Sequence, residues 1–348
     1  MEIFVSVLLL IVGIALIVKG GDFFVDAASW IAEVSGIPPL LVGATVVSVA
    51  TTLPELIVSV IATAKGTVEI AVGNAVGSVV ANLGLILAIS LLFMPSKVDR
   101  KEYWFKSTVL IVAVLDLFLV CFGGEVVGGL HTLNMWLGLI VFELFILFVV
   151  ENVLVAIKAV KKPAPLADIT GTLDMPAPEG AGEGGAVEEA PVRKDKKTII
   201  INILKFIGGA AGIVIGAELL VKYGQKLALL AGVPEGIIAV TLVAIGTSLP
   251  ELVTTISALI KKKASISVGN ILGANILDIT MILPICSVVS GGSLLVPREA
   301  LLLDMPFCFA LTLIAVVPMF FTKKFHRWQG AVLLVVYAAY LTLRMILT

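Results

Sequence analysis

Charge is scarce in this chain of 348 residues: Asp, Glu, Lys and Arg make up 14%, while apolar side chains make up 59%. Soluble domains run near a quarter charged and half apolar. A globule of this length cannot hide so much apolar surface, so lipid must be the solvent for much of it. No stretch has the composition of a long soluble catalytic domain. Histidine is almost missing, with only His131 and His326, both near the ends of apolar runs. The three cysteines, Cys121, Cys286 and Cys308, sit singly in apolar runs with no disulfide or metal spacing. That argues against zinc or copper chemistry, which favours His and Cys. The net charge of −1 offers nothing to nucleic acid, and Met1-Glu2-Ile3-Phe4 lacks the basic start and small-residue cleavage site of a signal peptide.

What the sequence has in abundance is long apolar runs. At about 20 residues per crossing, the hydropathy predicts ten spans near 3–19, 39–64, 70–94, 106–123, 133–157, 199–221, 234–260, 266–289, 299–320 and 328–347. Amphipathic stretches, 20–35 and 222–232, follow the first and sixth. The expected fold is therefore all-α and polytopic, with residues 1–160 and 198–348 each carrying five spans. Between them, 161–197 is rich in Pro, Ala, Gly and Glu without apolar periodicity, and reads as a flexible linker. Basic clusters at Lys97–Lys106, around the linker, at Lys261–Lys263 and at Lys323–Arg327 all fall on one side of a ten-span plan. By the positive-inside rule that side is the cytoplasm, which puts the linker inside and both termini outside a cell inner or plasma membrane. With five spans per half, the second half is inverted relative to the first.

The halves also resemble each other. At an offset of 196 residues, 16 of the 49 ungapped pairs from Gly36 to Gly84 are identical. Thr51-Thr52-Leu53-Pro54-Glu55-Leu56 meets Thr247-Ser248-Leu249-Pro250-Glu251-Leu252, and Gly73-Asn74 meets Gly269-Asn270. Chance Leu/Val matching does not reproduce Pro-Glu and Gly-Asn pairs at one offset. Inverted repeats with Pro-interrupted helices at corresponding positions point to a transporter whose site lies at the repeat interface.

Glu55 and Glu251 sit in mid-span, where an ionisable group costs several kcal/mol unless paired or hydrated. Pro54 and Pro250 lack the N–H that would bind the carbonyls of Ala50 and Gly246. Thr51 and Thr52 stand four and three residues before Glu55, on its side of the helix, and Thr247 and Ser248 repeat the arrangement around Glu251. On the third span Asn74, Ser78 and Asn82 recur every four residues; the eighth offers Asn270, Asn275 and Asp278. Carboxylates, amides, hydroxyls and carbonyls make an all-oxygen set suited to Ca²⁺ or Na⁺. Asp116, Glu143, Glu218 and Asp304 have no such duplicated context and read as interfacial or structural.

These paired motifs, Ala50-Thr51-Thr52-Leu53-Pro54-Glu55 with Gly73–Ser78 and Gly246–Glu251 with Gly269–Asn275, resemble the two α-repeats of the sodium/calcium exchangers, in the cation/Ca²⁺ antiporter superfamily. The resemblance covers the whole ten-span plan, is strongest over 36–90 and 232–286, and in lacking a large cytoplasmic domain the chain is similar to the microbial members. It implies an alternating-access antiporter that extrudes Ca²⁺ as Na⁺ enters. It implies Glu55 and Glu251 as central ligands, Asn82 and Asp278 in the middle of the site, oxygens from Thr51, Thr52, Thr247, Ser248 and Ser78, and backbone carbonyls at Ser48 and Ala244. It further implies that the first and sixth spans slide against the rest. Ca²⁺ and Na⁺ would then be transported substrates, with no cofactor, no enzyme activity and no obligatory protein partner. Two departures stand out: Val79 follows Ser78 where the family has Asn, and Ala274 replaces a serine that the family uses at an outer Na⁺ site. Altered Na⁺ dependence follows as an expectation. H⁺/Ca²⁺ exchange is the alternative, although the repeat motifs carry no His; a passive cation channel would give no reason for carboxylates on interrupted helices.

Overall fold

The computed structural model describes residues 2–94, 100–161, 195–230, 248–322 and 324–347. Residues 162–194 of the expected linker and the stretch holding Gly232–Pro234, Ala244, Gly246 and Thr247 lie outside them, while the linker's edges, Lys161, Lys196 and Lys197, belong to helices. The described residues are helical nearly throughout, as lipid demands: with no water to bind them, backbone N–H and C=O groups must be satisfied within each segment.

The helices in chain order are α1 (Glu2–Ser35), α2 (Pro39–Ala64), α3 (Val68–Phe93), α4 (Arg100–Gly123), α5 (Met135–Lys161), α6 (Lys196–Leu230), α7 (Leu249–Ile260), α8 (Ala264–Val289), α9 (Ala300–Thr322) and α10 (Arg327–Leu347). Among the described residues nine are long and apolar enough to span a membrane, and α7 is the short apolar remainder of the expected seventh span. The expected amphipathic helices after the first and sixth spans are not separate. α1 runs unbroken for 34 residues and α6 for 35. No proline interrupts either helix, and Gly20 and Gly21, at the first boundary, are packed against α6 and α7. α1 ends where Gly36 takes φ 70° and donates to the Ala32 carbonyl at 3.0 Å, before Pro38-Pro39 opens α2.

The inverted repeat is visible in the packing. α1 and α6 lie antiparallel, so close that a Cβ on Gly13 would stand 3.0 Å from the Gly216 carbonyl, and one on Gly20 would stand 2.8 Å from the Gly209 carbonyl. Gly13 and Gly209, like Gly20 and Gly216, are separated by the repeat offset, so each contact is the other's image about a pseudo-two-fold axis. Small residues let helix backbones approach where lipid supplies no hydrophobic drive. The turns match too. Thr67 N–H donates to Ala62 O at 3.0 Å and Lys263 N–H to Ala258 O at 2.7 Å; Gly66 and Lys262, at φ 83° and 57°, hold equivalent left-handed positions.

α3 and α8 form the centre, 72% and 83% buried over their spans, while α1 and α6 lie outside them at 22% each. A three-stranded antiparallel sheet, absent from the sequence-based expectation, ties the α4–α5 and α8–α9 connections together. Val126–Val127 (β1) pairs with Leu130–Asn134 (β2) through a Gly128-Gly129 turn, and β2 pairs with Ser293–Val296 (β3). Both connections fall at the same end of the bundle in the ten-span plan, so the sheet agrees with it.

Candidate functional site

The second helix turns its polar residues inward and its apolar ones to lipid. Ser48, Thr51, Thr52, Glu55 and Ser59 are buried, whereas Val49, Leu53, Ile57 and Ile61 are exposed. This reverses the usual soluble amphipathicity and leaves the carboxyl group of Glu55 in the protein interior. α7 does the same with Glu251, Thr254 and Thr255 buried and Ile256 and Ile260 outward. Pro54 stands inside α2, about two helical turns beyond a stretch (Gly43–Val47) where the helix widens to π turns; Pro250 sits in the first turn of α7. π turns leave carbonyls without their usual partners and concentrate at functional sites.

The same device marks α3 and α8 at equivalent places. Asn82 opens a π segment, Asn82–Leu87, and Asp278 opens another, Asp278–Ile282. These two residues are repeat mates, so one backbone distortion aims an amide from one half and a carboxylate from the other. Glycines on α8 allow the crossing: Gly269 lies on the Leu40 carbonyl, and a Cβ at Gly273 would meet Ala44 O and stand 2.5 Å from Ser48 Oγ. α2 thereby lies directly on α8, and Thr51 Oγ1 donates to Asn270 Oδ1 at 3.2 Å. Asn82 Nδ2 donates to Asn275 Oδ1 at 3.0 Å, a second bond between the halves. Asn74 Nδ2 donates to Ser59 Oγ at 2.9 Å and to the Glu55 carbonyl at 3.3 Å, fixing α3 against the turn that carries Glu55.

Glu55, Glu251 and Asp278 are each 1% exposed. Glu55 lies within electrostatic reach of Glu251 and Asp278, Asp278 within reach of Glu251, and Glu251 beside the hydroxyls of Thr51 and Thr52. Among the described residues no three His, Cys, Asp or Glu side chains close on a point as a metal cage by themselves. Neutral oxygens therefore complete any ion's shell here. Many have no partner among the described residues: both Glu55 carboxylate oxygens, Glu251 Oε2, Asp278 Oδ1, Asn82 Oδ1, and the hydroxyls of Thr52, Ser78 and Ser248. Native proteins leave few buried polar atoms unpaired, and each costs on the order of 1–3 kcal/mol. Oxygen acceptors gathered on helices from both halves make a site that a cation would satisfy.

The structure thus brings Glu55, Glu251, Asp278, Thr51 and Thr52 together between the halves and bonds Asn82 across them to Asn275; Ser78 is buried on α3 and Ser248 at the start of α7, while Thr247 lies outside the described residues. Sequence reasoning missed Ser59 and Thr255, although both are polar at the position four beyond the duplicated glutamate. Asn275 was noticed but not its bond to Asn82, which no local pattern announces. Asp304 is buried and structural, accepting from Tyr340 Oη at 3.1 Å and lying 3.3 Å from an Arg344 nitrogen. Lys106, counted above among the cytoplasmic basic residues, is instead buried, with its ammonium 3.8 Å from Glu151.

Comparison with known proteins matches the sodium/calcium exchanger protein family over residues 5–154 and 201–346. The chain belongs to the sodium/calcium exchanger family. The two matched blocks fall on the two halves, one on each side of the expected linker. This exchanger is 30% identical to the sodium/calcium exchanger MaX1 of Methanosarcina acetivorans over 97% of both chains. It is 33% identical to the inner membrane protein YrbG of Escherichia coli over 82% of this chain and 80% of that one. In three dimensions it resembles the sodium-calcium exchanger NCX_Mj soaked with 10 mM Na⁺ and 10 mM Sr²⁺, with TM-score 0.76, 26% identity and 98% of each chain covered. Its relatives are transporters rather than enzymes, and the exchanger is a multi-pass membrane cation/Ca²⁺ antiporter.

Proposed function

We propose that this exchanger extrudes Ca²⁺ in return for Na⁺ entry, through one site shared by its two halves. The observation that carries this reading is the pair of repeat-related glutamates, Glu55 and Glu251, buried with Asp278 among oxygen acceptors that find no donor among the described residues. In this reading the three carboxylates are the charged ligands. Asn82, Ser78, Thr51, Thr52, Ser248 and Thr247 add neutral oxygens. Ca²⁺ accepts six to eight oxygens in flexible geometry, which a mixed set of this kind supplies.

The same physics makes exchange obligatory. Carboxylates stripped of their cation in a low-dielectric interior cost several kcal/mol each. The empty site is therefore too unstable to carry the halves through the access change, and Ca²⁺ leaves only as other cations take its place. The relatives support Na⁺ as that cation: MaX1 is named a sodium/calcium exchanger, and NCX_Mj was soaked with Na⁺ and with Ca²⁺ or Sr²⁺. The basic residues support a cytoplasmic linker and external termini in a cell membrane.

One observation favours a variant of this reading. Ala274, fully buried on α8, stands where the first half has Ser78. The second half is short of one hydroxyl, which lowers the number of Na⁺ ligands and weakens Na⁺ dependence relative to a symmetric site. The test is ⁴⁵Ca²⁺ uptake into proteoliposomes under imposed Na⁺, K⁺ or H⁺ gradients. An outward Na⁺ gradient should drive uptake. Uptake that follows a pH gradient and ignores Na⁺ would replace Na⁺ with H⁺ as the coupling ion, and uptake indifferent to every gradient would indicate a channel.

A further inference from the structure

The pseudo-two-fold axis relates more than the ion site. It also relates a set of charges at the two ends of the α1/α6 pair, and these charges are paired at one end only. At the end where α7 turns into α8, Lys261 Nζ donates to Asp26 Oδ1 at 2.5 Å and to the Asp22 carbonyl at 2.9 Å, with the Asp22 carboxylate 3.8 Å away. Lys263 lies 3.3 Å from Glu33. The cluster fastens the second half of α1 to the tip of α7, where Gly21 also sits against Val253 and Ser257.

The repeat offset carries Lys261 onto Lys65, in a turn with the same hydrogen bonds, and Asp22 onto Glu218 on α6. An opposite charge pair is thus encoded at the other end, between the α2–α3 turn and the second half of α6. There both side chains are exposed and form no ion pair among the described residues. Correspondingly α1 packs along α7, while α6 touches α2 only sparsely.

We infer that Lys261 with Asp22 and Asp26, and Lys65 with Glu218, are alternately closing ionic latches that position the α1/α6 pair in the two access states. This rests on the alternating-access reading above. An inverted repeat reaches its second state when the two halves exchange conformations about the fixed site. The α1/α6 pair is a self-contained body on the outside of the core, held to itself by the glycine contacts. Moving it so that α6 meets α2 as α1 now meets α7 brings Glu218 to Lys65 and takes Asp22 and Asp26 from Lys261. The latches are unequal. Asp26 maps onto Lys222, Glu33 onto Leu229 and Lys263 onto Thr67. The second latch therefore has a single pair where the first has three acids and two lysines. The state described here, closed at the α7–α8 turn, is the favoured one.

The test uses the full chain in proteoliposomes, with the buried Cys121, Cys286 and Cys308 replaced and a short thiol-specific cross-linker added. Asp26→Cys with Lys261→Cys should link rapidly, and Lys65→Cys with Glu218→Cys slowly. Neutralising the first latch in the second background, by Lys261→Gln or, if that variant fails to fold, Asp22→Asn with Asp26→Asn, should raise the 65–218 yield about two- to fivefold, the range for partly exposed pairs. Separately, the charge swap Lys65→Glu with Glu218→Lys should transport better than either single change. A 65–218 yield unmoved by neutralisation, or a swap no better than its singles, would overturn the latches. Cross-linking needs no ion gradient, so wild-type protein without Na⁺-driven Ca²⁺ flux would overturn the function reading separately.

Discussion

Glu55 and Asn74 show how single residues set the site. Asn74 spends its amide on Ser59 and on the Glu55 carbonyl, so the backbone beneath Glu55 is fixed while both carboxylate oxygens stay free of protein donors. A group held in place and left unpaired is prepared for a ligand. Glu55→Gln and Glu251→Gln should each lower Na⁺-driven Ca²⁺ flux about a hundredfold or more, because losing one partner of a buried charge interaction costs about 3–5 kcal/mol. The same variants should melt at higher temperature than wild type in cation-free buffer, since each removes a buried negative charge; equal or lower melting temperature would count against carboxylates strained by lack of a cation. Ala274→Ser adds an oxygen at the Ser78-equivalent position. It should improve apparent Na⁺ affinity about fivefold, the effect of about 1 kcal/mol from one polar contact, as read from the Na⁺ dependence of ⁴⁵Ca²⁺ uptake.

At the scale of elements, the repeat explains both the regular and the irregular parts. Lys262 holds the left-handed position that Gly66 occupies in the first half, at φ 57°. A side chain there costs roughly 1 kcal/mol. Lys262→Gly should therefore stabilise the protein by up to about 1 kcal/mol, visible as a higher melting temperature in detergent, whereas Gly66→Ala should do the reverse. The helices were legible because about 20 apolar residues are needed to cross lipid; apart from the longer α1 and α6 and the partly described seventh span, their bounds lie within about six residues of the hydropathy. The continuity of α1 through Gly20 and Gly21 was not. Two adjacent glycines in isolation weaken a helix, and only the close approach of α6 to Gly20 and of α7 to Gly21 shows why they are tolerated. The sheet left one trace, Gly128-Gly129 between apolar segments, a local hairpin signal. Its pairing with β3 joins residues far apart in sequence, and no local pattern encodes that. The π segments at Asn82 and Asp278 were hidden for another reason: an i→i+5 turn has no composition of its own and depends on what the helix packs against.

At the scale of the whole molecule, two similar halves build something neither contains alone. The duplicated glutamates were legible because repetition in identical context separates function from accident. The bonds that join the halves, Thr51 to Asn270 and Asn82 to Asn275, were not, since they arise only when α2 and α3 meet α8. Buried carboxylates from both halves meet at the centre, and one charge pair, Lys261 with Asp22, recurs at the other end of the α1/α6 pair as Lys65 with Glu218. Among the described residues Lys261 forms ion pairs and Lys65 forms none. A symmetric plan carried out by unequal residues gives two states of unequal stability, which the cross-linking ratio reads directly.

The claim that both halves share one site, and that Ca²⁺ and Na⁺ compete for it, is tested most directly by equilibrium ⁴⁵Ca²⁺ binding to purified protein with rising Na⁺. A single Ca²⁺ per chain, displaced by Na⁺ and lost in both Glu55→Gln and Glu251→Gln, is the expected result. Two Ca²⁺ per chain, with each variant keeping one, or a single Ca²⁺ that Na⁺ does not displace, would contradict it.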